Sequence, residues 1–259
     1  PIHISETRIL GVLQRIALCY FAASLMVRFL SERSLLIWSA VLLLGYWILL
    51  YAFGDYTLEG NAALKLDLLI MGEKHLYMGE GVPFDPEGLL STLPSIVNVI
   101  GGYLFGAFLV RGEINYEKIT RTMLMGMALL VGAYFWDFLL PVNKKLWTSS
   151  YVLLTVGLDL MIMAAIIYTT DLSSRKVNYR FFLIFGMNPL FIYLLSEYLA
   201  IFMHFIRVGD GMSLYHSTYL ALFSWMGPYI GSLAFALAFT MVCWAVGWWL
   251  WKKNIYIKV

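Results

Sequence analysis

Long apolar runs without a single charge leave this chain few ways to fold. Leu35–Phe53 is uncharged over 19 residues, Leu89–Val110 over 22 and Gly211–Trp251 over 41. A helix of about 20 apolar residues crosses the hydrocarbon layer of a bilayer. Inside that layer every backbone N–H and C=O must find its partner within the protein, so continuous apolar runs of this length read as helices. Composition agrees: 61% of the residues are hydrophobic and 13% charged, against roughly 25% charged in soluble domains. The fold class is all-α, a polytopic helical membrane protein with about seven transmembrane helices.

The runs place the spans at Ile9–Phe29, Leu35–Phe53, Leu89–Val110, Thr122–Leu140, Tyr151–Thr170, Phe181–Ile206 and Tyr229–Trp251. Gly227-Pro228 divides the last long run, and too few residues precede it for another crossing. The piece before it reads as surface-lying or re-entrant. Residues 54–88 form a polar loop in which Lys65–Met71 reads as a short amphipathic helix. Pro141–Ser150 is a second polar loop. The 259 residues are read as one transmembrane domain, the C-terminal part of a larger bundle, because the chain opens on Pro1 just before a span.

Basic residues set the orientation. Alternate connectors hold Arg28 and Arg33; Arg111, Lys118 and Arg121; Arg175, Lys176 and Arg180; and Lys252, Lys253 and Lys258, eleven of the 18 basic residues. The positive-inside rule assigns these connectors and the C-terminus to the cytoplasm. The 54–88 and 141–150 loops then face outward. The net charge of +2 gives no sign of a nucleic-acid partner. Cys19 and Cys243 lie inside apolar runs and read as small core residues, and no metal-ligand spacing occurs.

Ionisable groups at membrane depth need a partner or a wet cavity. Arg15, Asp137, Asp159 and Glu197 are the candidates, with Asp159 reading equally as structural helix pairing. Asn188-Pro189 breaks a span, and such breaks are tolerated where they line a cavity; a bare kink is the commoner outcome. The outward loops supply His75, Asp85, Glu87, Asn143, Lys144 and Trp147. Carboxylates beside a tryptophan suit a sugar, with hydrogen bonds to its edges and stacking on its face, although any solvated loop has a similar composition. A lone loop histidine has a useful pKa but is more often merely solvated. The inward cations suit phosphates, and topology alone also explains them.

Several ordered segments are more specific. Arg8-Ile-Leu-Gly-Val-Leu-Gln-Arg-Ile16, Leu69–Tyr77 (with Gly72-Glu-Lys-His-Leu-Tyr77), Phe84-Asp-Pro-Glu-Gly-Leu-Leu-Ser-Thr92, Pro141–Tyr151 and Gly186-Met-Asn-Pro-Leu190 occur in this order. Together they resemble the heparan-α-glucosaminide N-acetyltransferase family over essentially the whole chain, and the short loops are similar to its bacterial members. The resemblance implies transfer of acetyl from cytoplasmic acetyl-CoA, a co-substrate, to an amino-sugar or oligosaccharide amine across a bacterial inner membrane. It implies CoA phosphates at Arg111, Arg121, Arg175, Lys176 and Arg180. It implies an acceptor sugar at Arg15, His75, Asp85, Glu87, Trp147 and Glu197. Asn143, Lys144 and Asn188 are candidate donors to the developing oxyanion. The family's catalytic histidine lies in an outward loop upstream of the region represented here, and His75 does not match it. The chain by itself is therefore expected to be inactive. A homodimer is compatible with the sequence, and a sugar transporter is the alternative function, although no inverted repeat supports it.

Overall fold

The computed structural model describes residues 7–79, 81–173, 179–209 and 211–257. They form two compact units, one within 1–176 and the other within 177–259. Both are helical, as the runs require. Among the described residues six helices are long and apolar enough to cross a membrane, and a bent pair makes a seventh if counted as one span.

In the first unit, α1 (Val12–Phe29), α2 (Glu32–Phe53), α4 (Thr92–Val110), α5 (Tyr116–Asp137) and α6 (Ser149–Ile167) are the long helices, and α3 (Ala62–Ile70) is the short loop helix. Helix α4 packs against α1, α2 and α6. One apolar cluster joins Cys19 and Ala23 of α1, Leu35 of α2, and Ile96 and Ile100 of α4. Another joins Leu43, Val97 and Val152 from α2, α4 and α6. Cys19 and Cys243 are both buried free thiols within their own units.

Helices α5 and α6 make the closest pair. Gly126 faces Gly157 where they cross, and a Cβ added at either would lie 2.9 or 3.0 Å from the other's carbonyl oxygen. Without a hydrophobic drive between helices in lipid, close backbone contact at small residues is a main source of association.

Two boundaries differ from the sequence reading for identifiable reasons. Helix α5 begins at Tyr116, six residues before the expected span, because Asn115 caps it by accepting from Lys118 N at 2.8 Å. Glu117 and Arg121, one turn apart, pair at 2.5 Å on that added segment. Asp137 was expected at membrane depth. It is the exposed last residue of α5 and accepts from Val142 N at 2.6 Å, so it closes the turn into the next loop. Asp159 stays within α6 and is exposed.

Two loops fold over one end of this unit, here termed the loop end. Tyr46 and Leu50 of α2 meet Ala62 and Leu140 there. Leu64, Leu76, Phe84 and Leu146 form the adjoining cluster. Asn61 caps α3 from within this packing by accepting from Leu64 N at 2.8 Å. Lys65 reaches back to Phe53 O at 2.9 Å, a cation on the C-terminus of α2.

The second unit contains α7 (Arg180–Met187), α8 (Pro189–Phe205), a two-residue antiparallel pair β1 (Arg207–Val208) and β2 (Met212–Ser213), α9 (Leu214–Leu222) and α10 (Pro228–Lys252). The expected single span over Phe181–Ile206 is broken: α7 and α8 meet at 82°. Pro189 cannot donate to the preceding turn and pushes Asn188 out of helical geometry, to φ −138°, ψ 53°. The short piece before Gly227 is α9, and Gly227 takes the left-handed φ of 86° that lets α10 start at Pro228.

Candidate functional site

The loop end of the first unit gathers polar groups from four distant segments. Arg15 lies in the first turn of α1, 6% exposed. Its Nε donates to Ser95 Oγ at 2.9 Å, Nη1 to Pro86 O at 2.7 Å and Nη2 to Ser91 O at 2.7 Å, with a further contact from Nη2 to Ser95 Oγ. The Trp147 ring covers the guanidinium at 4.3 Å. Among the described residues no carboxylate forms an ion pair with it. A buried charge is tolerable here because neutral acceptors and a π face replace its water. Its positive charge therefore remains uncompensated at close range, which suits an anion or a negative charge developing nearby.

Trp147 is held in turn. Its Nε1 donates to Asn98 Oδ1 at 3.0 Å, and Asn98 Nδ2 donates to Thr155 Oγ1 at 3.2 Å. Tyr151 meets the indole edge-on at 5.1 Å. Trp147 has φ 52°, which a bulky side chain rarely adopts. The preceding turn imposes it. Asn143 Oδ1 accepts from Lys145 N at 2.9 Å and Leu146 N at 3.2 Å, and Thr148 Oγ1 accepts from Asn143 N at 3.0 Å. The Tyr46 hydroxyl donates to Leu146 O at 2.5 Å. Asn143 thus shapes the loop with the oxygen of its amide, and Lys144 is exposed on it.

Arg8 closes the rim. It meets Asp85 through Nε at 2.8 Å and Nη2 at 2.6 Å, meets Glu87 at 2.5 Å, and lies over Tyr77 at 4.7 Å. The hydrogen bond to Asp85 holds Arg8 above the usual guanidinium range. The Asp85 side chain is fully buried under this clamp, whereas Glu87 keeps 19% of its side chain exposed. His75 Nδ1 lies 2.8 Å from Thr7 O. A carbonyl only accepts, so Nδ1 carries the proton, and in the neutral ring Nε2 is the acceptor. His75 O also accepts from Ile9 N at 3.3 Å, which ties the segment before α1 to this loop.

Several residues of the site escaped sequence reasoning, Asp67 foremost. Asp67 of α3 is 1% exposed; its Oδ1 accepts from Leu89 N at 3.0 Å, and its Oδ2 has no partner among the described residues. Burial pushes its carboxyl up to about 6. The signal was a lone acid with leucines on both sides, Leu66-Asp-Leu-Leu69. Tyr46, Ser95 and Asn98 were also missed, since each sits inside a run read only as apolar.

At the opposite end of the unit, Arg111 and Arg121 line one cavity of about 280 Å3 with Phe108, Asn115 and Lys118. Arg111 pairs with Glu32, and Arg121 with Glu117. Lys118 donates to Leu109 O at 2.9 Å, Arg111 O at 2.7 Å and Gly112 O at 3.2 Å, closing the C-terminus of α4. Arg175 and Lys176 lie outside the described residues. In the second unit Arg180 lies 5.5 Å from the Trp251 ring. No group of three or more His, Cys, Asp or Glu side chains suited to a metal occurs among the described residues.

Asn188 is fully buried at the α7–α8 break. It donates to Ile255 O at 3.1 Å and accepts from Ile257 N at 2.7 Å, pinning the tail beyond α10. Glu197, nine residues further on, is exposed on α8. Asn188→Ala removes both bonds, each worth about 1 kcal/mol. Trypsin cleavage at Lys252 and Lys253 is expected to accelerate roughly thirtyfold, the factor corresponding to about 2 kcal/mol for the two bonds together. An unchanged cleavage rate would show that the tail is held by other contacts.

No protein-family model matches the chain. It is 27% identical over 253 residues to the heparan-α-glucosaminide N-acetyltransferase of Homo sapiens, covering 76% of this chain and 38% of that protein. It is 29% identical over 159 residues to the protein of the same name from Mus musculus, covering 54% of this chain and 24% of that protein. The chain thus spans well under half the length of either relative. Four of the five segments that carried the resemblance, around Arg8–Arg15, His75–Tyr77, Asp85–Thr92 and Asn143–Tyr151, meet at the loop end. The chain is therefore similar in sequence to the heparan-α-glucosaminide N-acetyltransferases, and its long apolar helices are those of a multi-pass membrane protein.

Proposed function

We propose that the chain is the membrane-embedded part of an N-acetyltransferase that moves acetyl from acetyl-CoA, at the Arg111–Arg121 end, to the amine of an amino sugar at the loop end. The observation that carries this reading is the convergence of four family-like segments, far apart in sequence, on the Arg15–Trp147 cradle. Trp147 and Tyr151 offer ring faces to a sugar, and Glu87 and His75 offer hydrogen bonds at the rim. Arg111, Arg121 and Lys118 line a cavity together with Glu113 and Glu117 and supply the cations proposed for phosphate; Arg175, Lys176 and Arg180 remain phosphate candidates on sequence alone. The basic end is then cytoplasmic and the loop end outward, in a bacterial inner membrane.

The reaction needs three things of the protein. A base takes a proton from the amine as its nitrogen attacks the thioester carbonyl. Donors hold the tetrahedral oxyanion. The C–S bond then breaks, and the CoA sulfur receives the proton. Asn143 and Lys144 remain candidate donors; Asn143 offers only its amide nitrogen, because its oxygen serves the loop, whereas Asn188 spends both amide atoms on the tail beyond α10. The two relatives are transferases by name, and no observation favours the transporter alternative.

Acetyl-CoA binding by the complete protein in detergent tests the reading. Micromolar affinity is expected, weakened about tenfold by loss of the 3′-phosphate or by Arg121→Gln, as for one charge-assisted contact of about 1.4 kcal/mol. Equal binding of acetyl-CoA and dephospho-acetyl-CoA would remove the cationic cavity from the CoA site. No binding at all would withdraw the transferase reading.

A further inference from the structure

We infer that Asp67 is a positioning residue of the loop-end site: by holding Leu89 it fixes the Pro86–Ser91 turn whose carbonyls carry the Arg15 guanidinium against Trp147. This rests on the reading of that end as the functional site, but its geometry stands by itself. Two of the four acceptor contacts of Arg15 are main-chain carbonyls, Pro86 O and Ser91 O, on either side of Leu89. The Leu89 N–H between them is bound by Asp67 Oδ1 at 3.0 Å. Gly88 packs so closely on Asp67 that an added Cβ would fall on Oδ2. Ser91 Oγ donates to Gly88 O at 3.0 Å, and Thr92 Oγ1 does the same at 3.0 Å, so the turn is clamped from both sides.

The link is also sensitive to protonation. Burial is the main cause of the raised Asp67 value of about 6, the Leu89 N–H opposes it, and the Asp85 carboxylate adds to it. Tyr46 of α2 lies in the fields of both Arg15 of α1 and Asp67. Those three groups, Asp85, Tyr46 and Arg15, are the titratable or charged neighbours on the elements around it. A carboxyl held above its unfolded value stabilises the fold most below about 3.8 and loses that contribution as pH rises to about 6. The proton, when present, sits on Oδ2, because Oδ1 is already accepting.

Thermal unfolding of the purified chain in detergent between pH 4.5 and 8 tests this without reference to acetyl transfer. Wild type is expected to lose about 5 °C as pH rises from 4.5 to about 6, and to level off above it. Asp67→Asn keeps the acceptor for Leu89 and should stay close to the wild-type midpoint at low pH, with the step abolished. Asp67→Ala should lose about 5 °C or more. Combined with Arg15→Gln it should add almost nothing to the loss from Arg15→Gln alone, because both remove the same arrangement. A double variant whose loss equals the sum of the single losses would overturn the positioning role, as would Asp67→Asn behaving like Asp67→Ala. If Asp67→Ala yields no folded protein, Gly88→Ala, which displaces the same carboxyl, takes its place in the cycle under the same criteria. Loss of acetyl-CoA binding would refute the transferase reading and leave this result untouched.

Discussion

Replacing Arg15 with leucine is expected to cost the first unit about 3 kcal/mol, roughly 1 kcal/mol for each of the three acceptors that lose its charged donor. The acceptors that lose it are Pro86 O, Ser91 O and Ser95 Oγ; Ser91 O keeps Ser95 Oγ at 2.8 Å and Pro86 O keeps Ser91 Oγ at 3.3 Å, and the Trp147 face loses its cation. Relief from burying a charge offsets part of this, yet leucine cannot satisfy a carbonyl. Arg15→Lys is expected to recover less than half, because one ammonium cannot span three acceptors as the planar fork does. Thermal unfolding reads the effect as a fall of about 10 °C for leucine. A fall of less than about 2 °C would mean that the acceptors find water, and that the cradle is open rather than built around Arg15. On the transferase reading proposed above, the same change should abolish acetyl transfer while leaving acetyl-CoA affinity nearly unchanged.

Gly126→Leu is expected to be as damaging, through a different cause. A Cβ at Gly126 already lies 2.9 Å from Gly157 O, and Met161 Cγ stands at 3.0 Å. The side chain of Met161 can turn aside; a helix carbonyl cannot. Overpacking of this kind costs about 1–3 kcal/mol for alanine-sized changes and more for branched chains. Since α5 and α6 form the closest pair in the unit, their separation should abolish recovery of folded protein. Gly45→Ala is the control. Nothing lies within 4 Å of that position, and a helical glycine replaced by alanine gains about 0.5–1 kcal/mol. Recovery of Gly126→Leu at the level of the control would show that the crossing tolerates separation.

Much of the fold was legible because membrane physics leaves few options. Uncharged runs of about 20 residues have to be helices, and α2, α4, α6 and α10 follow them closely. The division at Gly227-Pro228 was legible for a comparable reason, since one residue takes a positive φ and the next lacks an N–H. The α7–α8 angle was not. Asn188-Pro189 announces an interruption, but whether it becomes a kink or an 82° break depends on what occupies the gap. Here the Ile255–Ile257 backbone does, and that segment lies some 67 residues away.

The site divides along the same line. Arg8 was not singled out, but Arg15, His75, Asp85, Glu87 and Trp147 could be, because polar residues in an apolar chain are conspicuous. Their roles could not. Asp85 and Glu87 look alike in sequence, yet one is fully buried beneath Arg8 and the other remains partly open. Asn143 resembles a free donor until two backbone amides are seen at its oxygen. Asp67, Ser95 and Asn98 carry polar atoms inside apolar periodicity, where periodicity reports only which face is buried.

By itself, then, the sequence determined that this is a helical membrane protein, where most of its spans lie, and which residues are too costly to bury without a purpose. Those properties follow from transfer free energies that act on each segment separately. The tertiary structure alone decided that Arg15 is buried with carbonyls and an indole instead of a carboxylate, and that Asp67 holds the turn providing two of those carbonyls. Such properties depend on distances between segments 71 and 80 residues apart for the α4 end and further still for Trp147, set by how α1, α3, α4 and the loop before α6 pack together, and no local term in the sequence encodes them.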